Sequence, residues 1–185
     1  MYSIEKDVES ILVSEEQIKE AVKRIANEIT DDFRDSDKQL LLVCVLKGSL
    51  MFISDLMKEI KLPAKIDFMK VSSYGSGTVS NGQVKIRYDL DTDSLDNYNV
   101  VVVEDIIDSG HTLANLLIHL KNRGANTVKL CALLDKPSRR VVDVKIDYCG
   151  FTIPDAFAIG YGLDYDEKYR NLPYIGILNP EVYSN

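Results

Sequence analysis

The chain has 185 residues, 45% of them hydrophobic and 28% charged, with 29 Asp and Glu against 22 Lys and Arg and a formal charge of −7. That length suits one buried core and is short for two domains, and no apolar run approaches the ~20 residues that span a bilayer. The acidic balance disfavours a phosphate-tracking nucleic-acid surface, so neither nucleic acid nor membrane is expected as a partner.

The opening MYSIEKDVES lacks the basic and apolar regions of a signal peptide, so a cytoplasmic protein is expected. Cys44, Cys131 and Cys149 lie in apolar strand-like runs without metal-ligand or CxxC spacing and read as buried, inert thiols. The first clear element is a helix from about Ser14, where Ser14 and Gln17 form a capping-box pattern. Ile18, Ala21, Val22, Ile25, Ala26 and Ile29 mark its apolar face. Leu40 to Leu46 is a continuous apolar run, as in a strand buried on both sides, and Ser49 to Ile60 reads as a helix. Strands are predicted over Ala64 to Val71 and Val84 to Leu90. Between them the small, polar, Gly-rich segment SSYGSGTVSNG, Ser72 to Gly82, is expected to be a mobile loop. Further strands are predicted at Asn99 to Val103, Val128 to Leu134, Ile146 to Phe151 and Ala156 to Ile159, with a helix from Thr112 to Asn122 closed by Gly124. Strands alternating with helices imply an α/β fold with a mainly parallel sheet, whose ligand crevice lies beyond the carboxyl ends of the strands.

The run VVVVEDIIDSGHT, Val100 to Thr112, carries the most chemistry. Glu104 and Asp105 appear as the buried strand ends, Asp108 follows, and Ser109, Gly110, His111 and Thr112 lead into a helix. Gly110 permits a close backbone turn, and the N–H groups of the helix start with two hydroxyls make an anion cradle. The paired acids beside it suit a ligand with an anion at one end and a diol, which donates to carboxylates, at the other. A helix start dressed with Asp and Ser is common by itself; the combination is specific.

This run resembles the PRPP-binding motif of the type I phosphoribosyltransferases, and the resemblance extends over nearly the whole chain. LKG (Leu46 to Gly48), SSYGSG, LLDKPSRR and FAIGYGLDYDEKYRNLP stand in the order of the hypoxanthine-guanine branch. The resemblance implies one domain over 1–185, with a core of about 36–150, a small hood from about 1–13 and 151–185, and a lid loop of about 72–83 containing Ser73 and Tyr74. It implies purine salvage: transfer of the 5-phosphoribosyl group of PRPP to N9 of hypoxanthine or guanine, giving IMP or GMP and pyrophosphate, with Mg²⁺, in a homodimer or homotetramer.

The same resemblance assigns roles. Asp108 becomes the general base and acid, Glu104 and Asp105 hold the ribose, and the Asp108 to Thr112 loop, His111 included, takes the 5-phosphate. Lys47, Gly48 and Arg170 take pyrophosphate, with a non-proline cis peptide often preceding the Lys. Lys136, Phe157, Ala158 and Asp164 take the purine, and Glu104, Asp105 and Asp164 are metal-linked. Taken singly, Lys47 and Lys136 read as surface lysines, Phe157 as core, Asp164, Asp166 and Glu167 as a solvated turn, and His119 as a surface residue. Rival readings are another base (adenine, uracil or orotate), an RNA-binding regulator of the same fold, or a generic phosphate-binding α/β domain such as a receiver.

Overall fold

A computed structural model describes residues 4–73 and 84–183. Among these residues, nine strands and three α-helices follow in chain order: β1 (Val8–Val13), α1 (Glu15–Phe33), β2 (Gln39–Val45), α2 (Leu50–Glu59), β3 (Ala64–Ser73), β4 (Val84–Tyr88), β5 (Tyr98–Ile107), α3 (His111–Asn122), β6 (Thr127–Asp135), β7 (Tyr148–Thr152), β8 (Ala158–Ile159) and β9 (Ile175–Leu178). They form a six-stranded sheet in the order β4-β3-β2-β5-β6-β7 and a three-stranded sheet in the order β1-β9-β8. In the large sheet only the β3–β4 pair is antiparallel. Among the described residues, no helix is long and apolar enough to cross a membrane.

The local rules account for most of this. The Ser14 hydroxyl accepts from the Gln17 N–H at 3.3 Å while the Gln17 side chain accepts from the Ser14 N–H at 2.8 Å, and α1 starts there with two of its orphan donors satisfied. The predicted apolar face of α1 is buried in full. Strand β2 is uniformly apolar because both sides of the sheet are covered. Leu40, Leu42 and Cys44 enter the core shared with α1 and α2, while Leu41, Val43 and Val45 enter the core shared with α3.

The small sheet escapes the sequence patterns. Strand β1 exposes three of its six residues and carries Ile11 at 59% exposure, so it has neither an alternating nor a continuous apolar signal. Its antiparallel partner, β9, lies more than 160 residues away. Several strand bounds also differ, β3 running on to Ser73, β4 ending at Tyr88 and β7 beginning at Tyr148. Strand β5 does not end at Val103 but runs through the acidic pair to Ile107, because β6 continues alongside it to the Ile107–Asp135 pair. The last predicted strand shrinks to Ala158–Ile159. Cys44 and Cys131 are buried as expected, whereas Cys149 is only half-buried. His119 is no plain surface residue either: its Nε2 is buried, 3.4 Å from Asp89 Oδ2.

One polar tie crosses the helix layer. Asp32, in the last turn of α1, accepts from Lys129 Nζ and from the Tyr148 hydroxyl, each at 2.6 Å. Those hydrogen bonds, the Lys129 one first, hold its carboxyl below the ordinary range. A carboxylate whose folded pKa is depressed adds stability above its ordinary titration range and loses it as pH falls through the folded value. Asp32→Asn is therefore expected to lower stability at about pH 7 by up to ~1 kcal/mol, discounted for the partial exposure of the pair. Urea denaturation should show the gap closing below about pH 4; a gap indifferent to pH would remove the charge from the account.

Candidate active site

The carboxyl ends of β2 and β5, the loop after β5 and the 160–170 loop enclose a cavity of about 430 Å³. Lys47, Gly48, Glu104, Asp105, Asp108, Ser109, Gly110, Thr112, Asp164 and Arg170 line it. Residues drawn from four sequence regions thus meet around one space, at the strand ends where ligands bind in parallel sheets.

The 108–112 loop is held from behind. Val141 and Val142 N–H groups donate to the Ser109 carbonyl at 3.0 and 2.9 Å, and Ala114 N–H donates to the Gly110 carbonyl at 2.9 Å. Arg140 Nε donates to the Asp108 carbonyl at 3.0 Å, and its guanidinium also pairs with Asp135. Three carbonyls are thereby engaged with protein, which leaves N–H groups and the Ser109 and Thr112 hydroxyls as what the loop offers an anion. Gly110 has φ of +85°, and a side chain there would meet the Val142 carbonyl at 2.5 Å, so both conformation and space call for glycine. His111, by contrast, is exposed at the first residue of α3 and does not line the cavity.

Opposite the loop, Gly48 is as closely constrained. A Cβ on it would lie 1.5 Å from Asp105 Oδ2, so the Asp105 carboxyl occupies the space a side chain would need. The peptide between Leu46 and Lys47 is cis. Asp105 Oδ1 accepts from the Ile106 N–H at 2.8 Å; burial nevertheless pushes its carboxyl up to about 6. Burial, with Asp105 beside it, pushes the Glu104 carboxyl well above the usual range, and Glu104 Oε2 is buried with no hydrogen-bond partner among the described residues. Two adjacent half-buried acids, one of them with an orphaned buried oxygen, suit a cation or a set of donors. Hard carboxylate oxygens of this kind fit a divalent cation such as Mg²⁺. Among the described residues no three His, Cys, Asp or Glu side chains form a metal-ligand set, so such a cation would draw its remaining oxygens from water or substrate.

The basic side of the cavity is Lys47 and Arg170. Arg170 donates to the Gly162 carbonyl at 2.7 Å and lies 2.9 Å from Asp164 Oδ1. Glu167 Oε2 accepts from Lys47 Nζ at 3.0 Å and stands 3.3 Å from Arg170 Nη2.

Of the predicted base-binding residues, Asp164 lines the cavity, whereas Lys136, Phe157 and Ala158 do not. Lys136 is only 8% exposed; its Nζ donates to the Ala156 carbonyl at 2.9 Å and lies 3.5 Å from Asp108 Oδ1 and 3.8 Å from Asp155 Oδ1. The isolated readings fail at two positions here: Lys136 is buried where a surface lysine was the bland expectation, and Phe157 is 39% exposed where core was. The Phe157 ring packs edge-on against Tyr165 and stacks with Tyr183, with centroids at 5.5 and 5.4 Å. Ala158 is buried in β8. Tyr74 and the Ser73 side chain lie outside the described residues. The sequence reading passed over Arg140 and Gly162. Arg140 stands within the quoted LLDKPSRR and holds the anion loop. A Cβ on Gly162 would meet the Gly48 carbonyl at 2.0 Å.

Residues 10–166 match the family model described as a phosphoribosyl transferase domain. The chain is 51% identical to a hypoxanthine-guanine phosphoribosyltransferase of Bacillus subtilis, over 97% of its own length and 98% of the relative's. It is 49% identical to a bifunctional TilS/HprT protein of Listeria monocytogenes, over 98% of its own length and 28% of that longer protein. The crystal structure of a hypoxanthine phosphoribosyltransferase from Staphylococcus aureus superposes over the full length of both chains, with a TM-score of 0.93 and 47% identity.

Proposed function

The chain belongs to the phosphoribosyltransferase family, in its hypoxanthine-guanine branch, and from that premise we infer a purine salvage enzyme that transfers the phosphoribosyl group of PRPP to hypoxanthine or guanine. The products are IMP or GMP and pyrophosphate. The observation that carries the assignment of parts is the meeting, around one cavity, of an anion loop, two adjacent acids and two cations.

The loop of Ser109 to Thr112 takes the 5-phosphate, and Glu104 and Asp105 hold the ribose hydroxyls, so C1 is presented in a fixed position. Lys47 and Arg170 receive the pyrophosphate, and the Gly48 N–H adds a donor where no side chain can stand. Lys136 donates to the purine 6-oxo group, which an ammonium suits and the amino group of adenine does not. Phe157 supplies the ring on which the base stacks, and Ala158 the backbone at its edge. In the reaction the N9–C1 bond forms as the bond from C1 to the pyrophosphate oxygen breaks, and Asp108 accepts the proton released from the purine. Glu104 and Asp105, with Asp164 in the lining of the same cavity, would hold Mg²⁺ together with substrate oxygens, and the ion would supply positive charge against the leaving pyrophosphate. The segment around Ser73 and Tyr74 would exclude water, the competing nucleophile. The three-stranded sheet with the 151–174 segment would form the hood. A cytoplasmic homodimer or homotetramer completes the reading; exposed Leu50, Met51 and Met57 on α2 support self-association.

The test is pyrophosphate release from PRPP and Mg²⁺ with hypoxanthine, guanine, xanthine, adenine or uracil supplied singly. Release with the 6-oxopurines and little with adenine or uracil is the expected pattern; turnover of adenine or uracil at comparable rates would refute the base assignment.

A further inference from the structure

Residues 165–168 form a two-residue hairpin turn. Tyr165 and Lys168 exchange backbone hydrogen bonds at 3.2 and 3.0 Å, and the two central residues, Asp166 and Glu167, have φ of +51° and +60°. This is the geometry of a type I′ turn, in which both central positions are left-handed and the second is a preferred place for glycine. Glutamate there is strained and brings none of the local hydrogen bonding with which Asn or Asp offsets a left-handed backbone. Its side chain has a use elsewhere. Oε2 is shared between Lys47 and Arg170, the two cations of the cavity, while the Glu167 N–H donates to Asp164 Oδ2 at 2.9 Å and anchors the turn to the cavity wall.

The rest of the lining sharpens the point. Glu104, Asp105, Asp108 and Asp164 put four carboxyl groups around the cavity, against Lys47 and Arg170. A polyanionic ligand depends on those two cations, and both are paired with the same carboxylate, Glu167, Arg170 also with Asp164 at 2.9 Å. Glu167 is 64% exposed along its side chain, so it can swing into solvent without unpacking anything.

We propose that Glu167 is an internal competitor for the pyrophosphate site: it occupies Lys47 and Arg170 when the site is empty, yields to the pyrophosphate group of the substrate, and competes with that group again after transfer. The turn conformation holds the carboxylate within reach of both cations, and its cost in backbone strain is the mark of that placement. This inference rests on the pyrophosphate role given above to Lys47 and Arg170.

The experiment is calorimetric titration of inorganic pyrophosphate with Mg²⁺ into the unmodified protein, Glu167→Gln, Glu167→Gly and Asp166→Asn. Asp166 is the control, a carboxylate of the same turn whose ion pair is with Lys168 instead. Glu167→Gln and Glu167→Gly should bind pyrophosphate about three- to tenfold tighter than the unmodified chain, the scale set by releasing exposed ion pairs. Asp166→Asn should change little. Thermal melting should show Glu167→Gly at least as stable as the unmodified protein, because glycine suits the turn. Equal gains in Asp166→Asn would reduce the effect to net charge and overturn the proposal. Unmodified protein that binds pyrophosphate, with Glu167 variants that bind it no tighter, would overturn the competitor role alone. No binding of pyrophosphate by the unmodified protein would overturn the site assignment along with it.

Discussion

Asp108→Asn is expected to lower turnover by about 10²- to 10⁴-fold, the usual worth of a positioned acid or base, while PRPP binding is retained or strengthened. The geometry separates the two functions of this residue. Its backbone belongs to the anion loop, where Arg140 holds the carbonyl. Its side chain lines the cavity with one oxygen 3.5 Å from Lys136 Nζ, between the anion loop and the base-binding residues. Asparagine preserves the backbone, the shape and an acceptor for Lys136. It loses only the capacity to take a proton, together with one negative charge in a cavity meant for a polyanion. Turnover is read from pyrophosphate release and PRPP affinity from calorimetry on the same preparation. Parallel losses in both would place Asp108 in binding and leave the proton without an acceptor.

The parts of the molecule legible in the sequence are those in which one segment determines its own environment. The capping box at Ser14 and Gln17, the 3.6-residue face of α1 and the unbroken apolar run of β2 each state their structure locally, and each is found as expected. The 104–112 run is of the same kind, because Gly110 and the acids before it are neighbours in the chain. Lys136 was legible only through family resemblance. Nothing in LLDKPSRR distinguishes a surface lysine from one whose Nζ is buried against the Ala156 carbonyl, since that carbonyl arrives from a segment 20 residues on. Phe157 erred in the opposite direction for the same reason: its surroundings, Tyr165 and Tyr183, come from separate stretches. Glu167 is the extreme case. A charged residue in a solvated turn is ordinary until the fold brings Lys47, 120 residues away, within 3.0 Å.

Removing the donors of Lys136 should cost specificity before it costs binding in general. Lys136→Met keeps an unbranched stem of similar bulk and deletes the ammonium, and Lys136→Ala removes the stem as well. Its Nζ donates to the Ala156 carbonyl at 2.9 Å and stands 3.5 and 3.8 Å from Asp108 Oδ1 and Asp155 Oδ1, beyond close hydrogen bonding, so donors remain for a ligand. Such a group can donate to a 6-oxo group but has no acceptor for a 6-amino group, and sites built on polar matching reject the mismatched base by up to ~10⁴–10⁵-fold. The ratio of kcat/KM for hypoxanthine over adenine should therefore fall by at least about 10²-fold in both variants, mostly through loss on the hypoxanthine side. Both should also melt earlier, since Asp108 and Asp155 lose a cation they share in a partly buried setting. That loss of stability alone would not alter a ratio measured on one preparation with two substrates, so the ratio isolates recognition from folding. An unchanged ratio would leave Lys136 as a structural cation that neutralises the acids around it, and recognition of the oxo group would then fall to the backbone near Phe157 and Ala158.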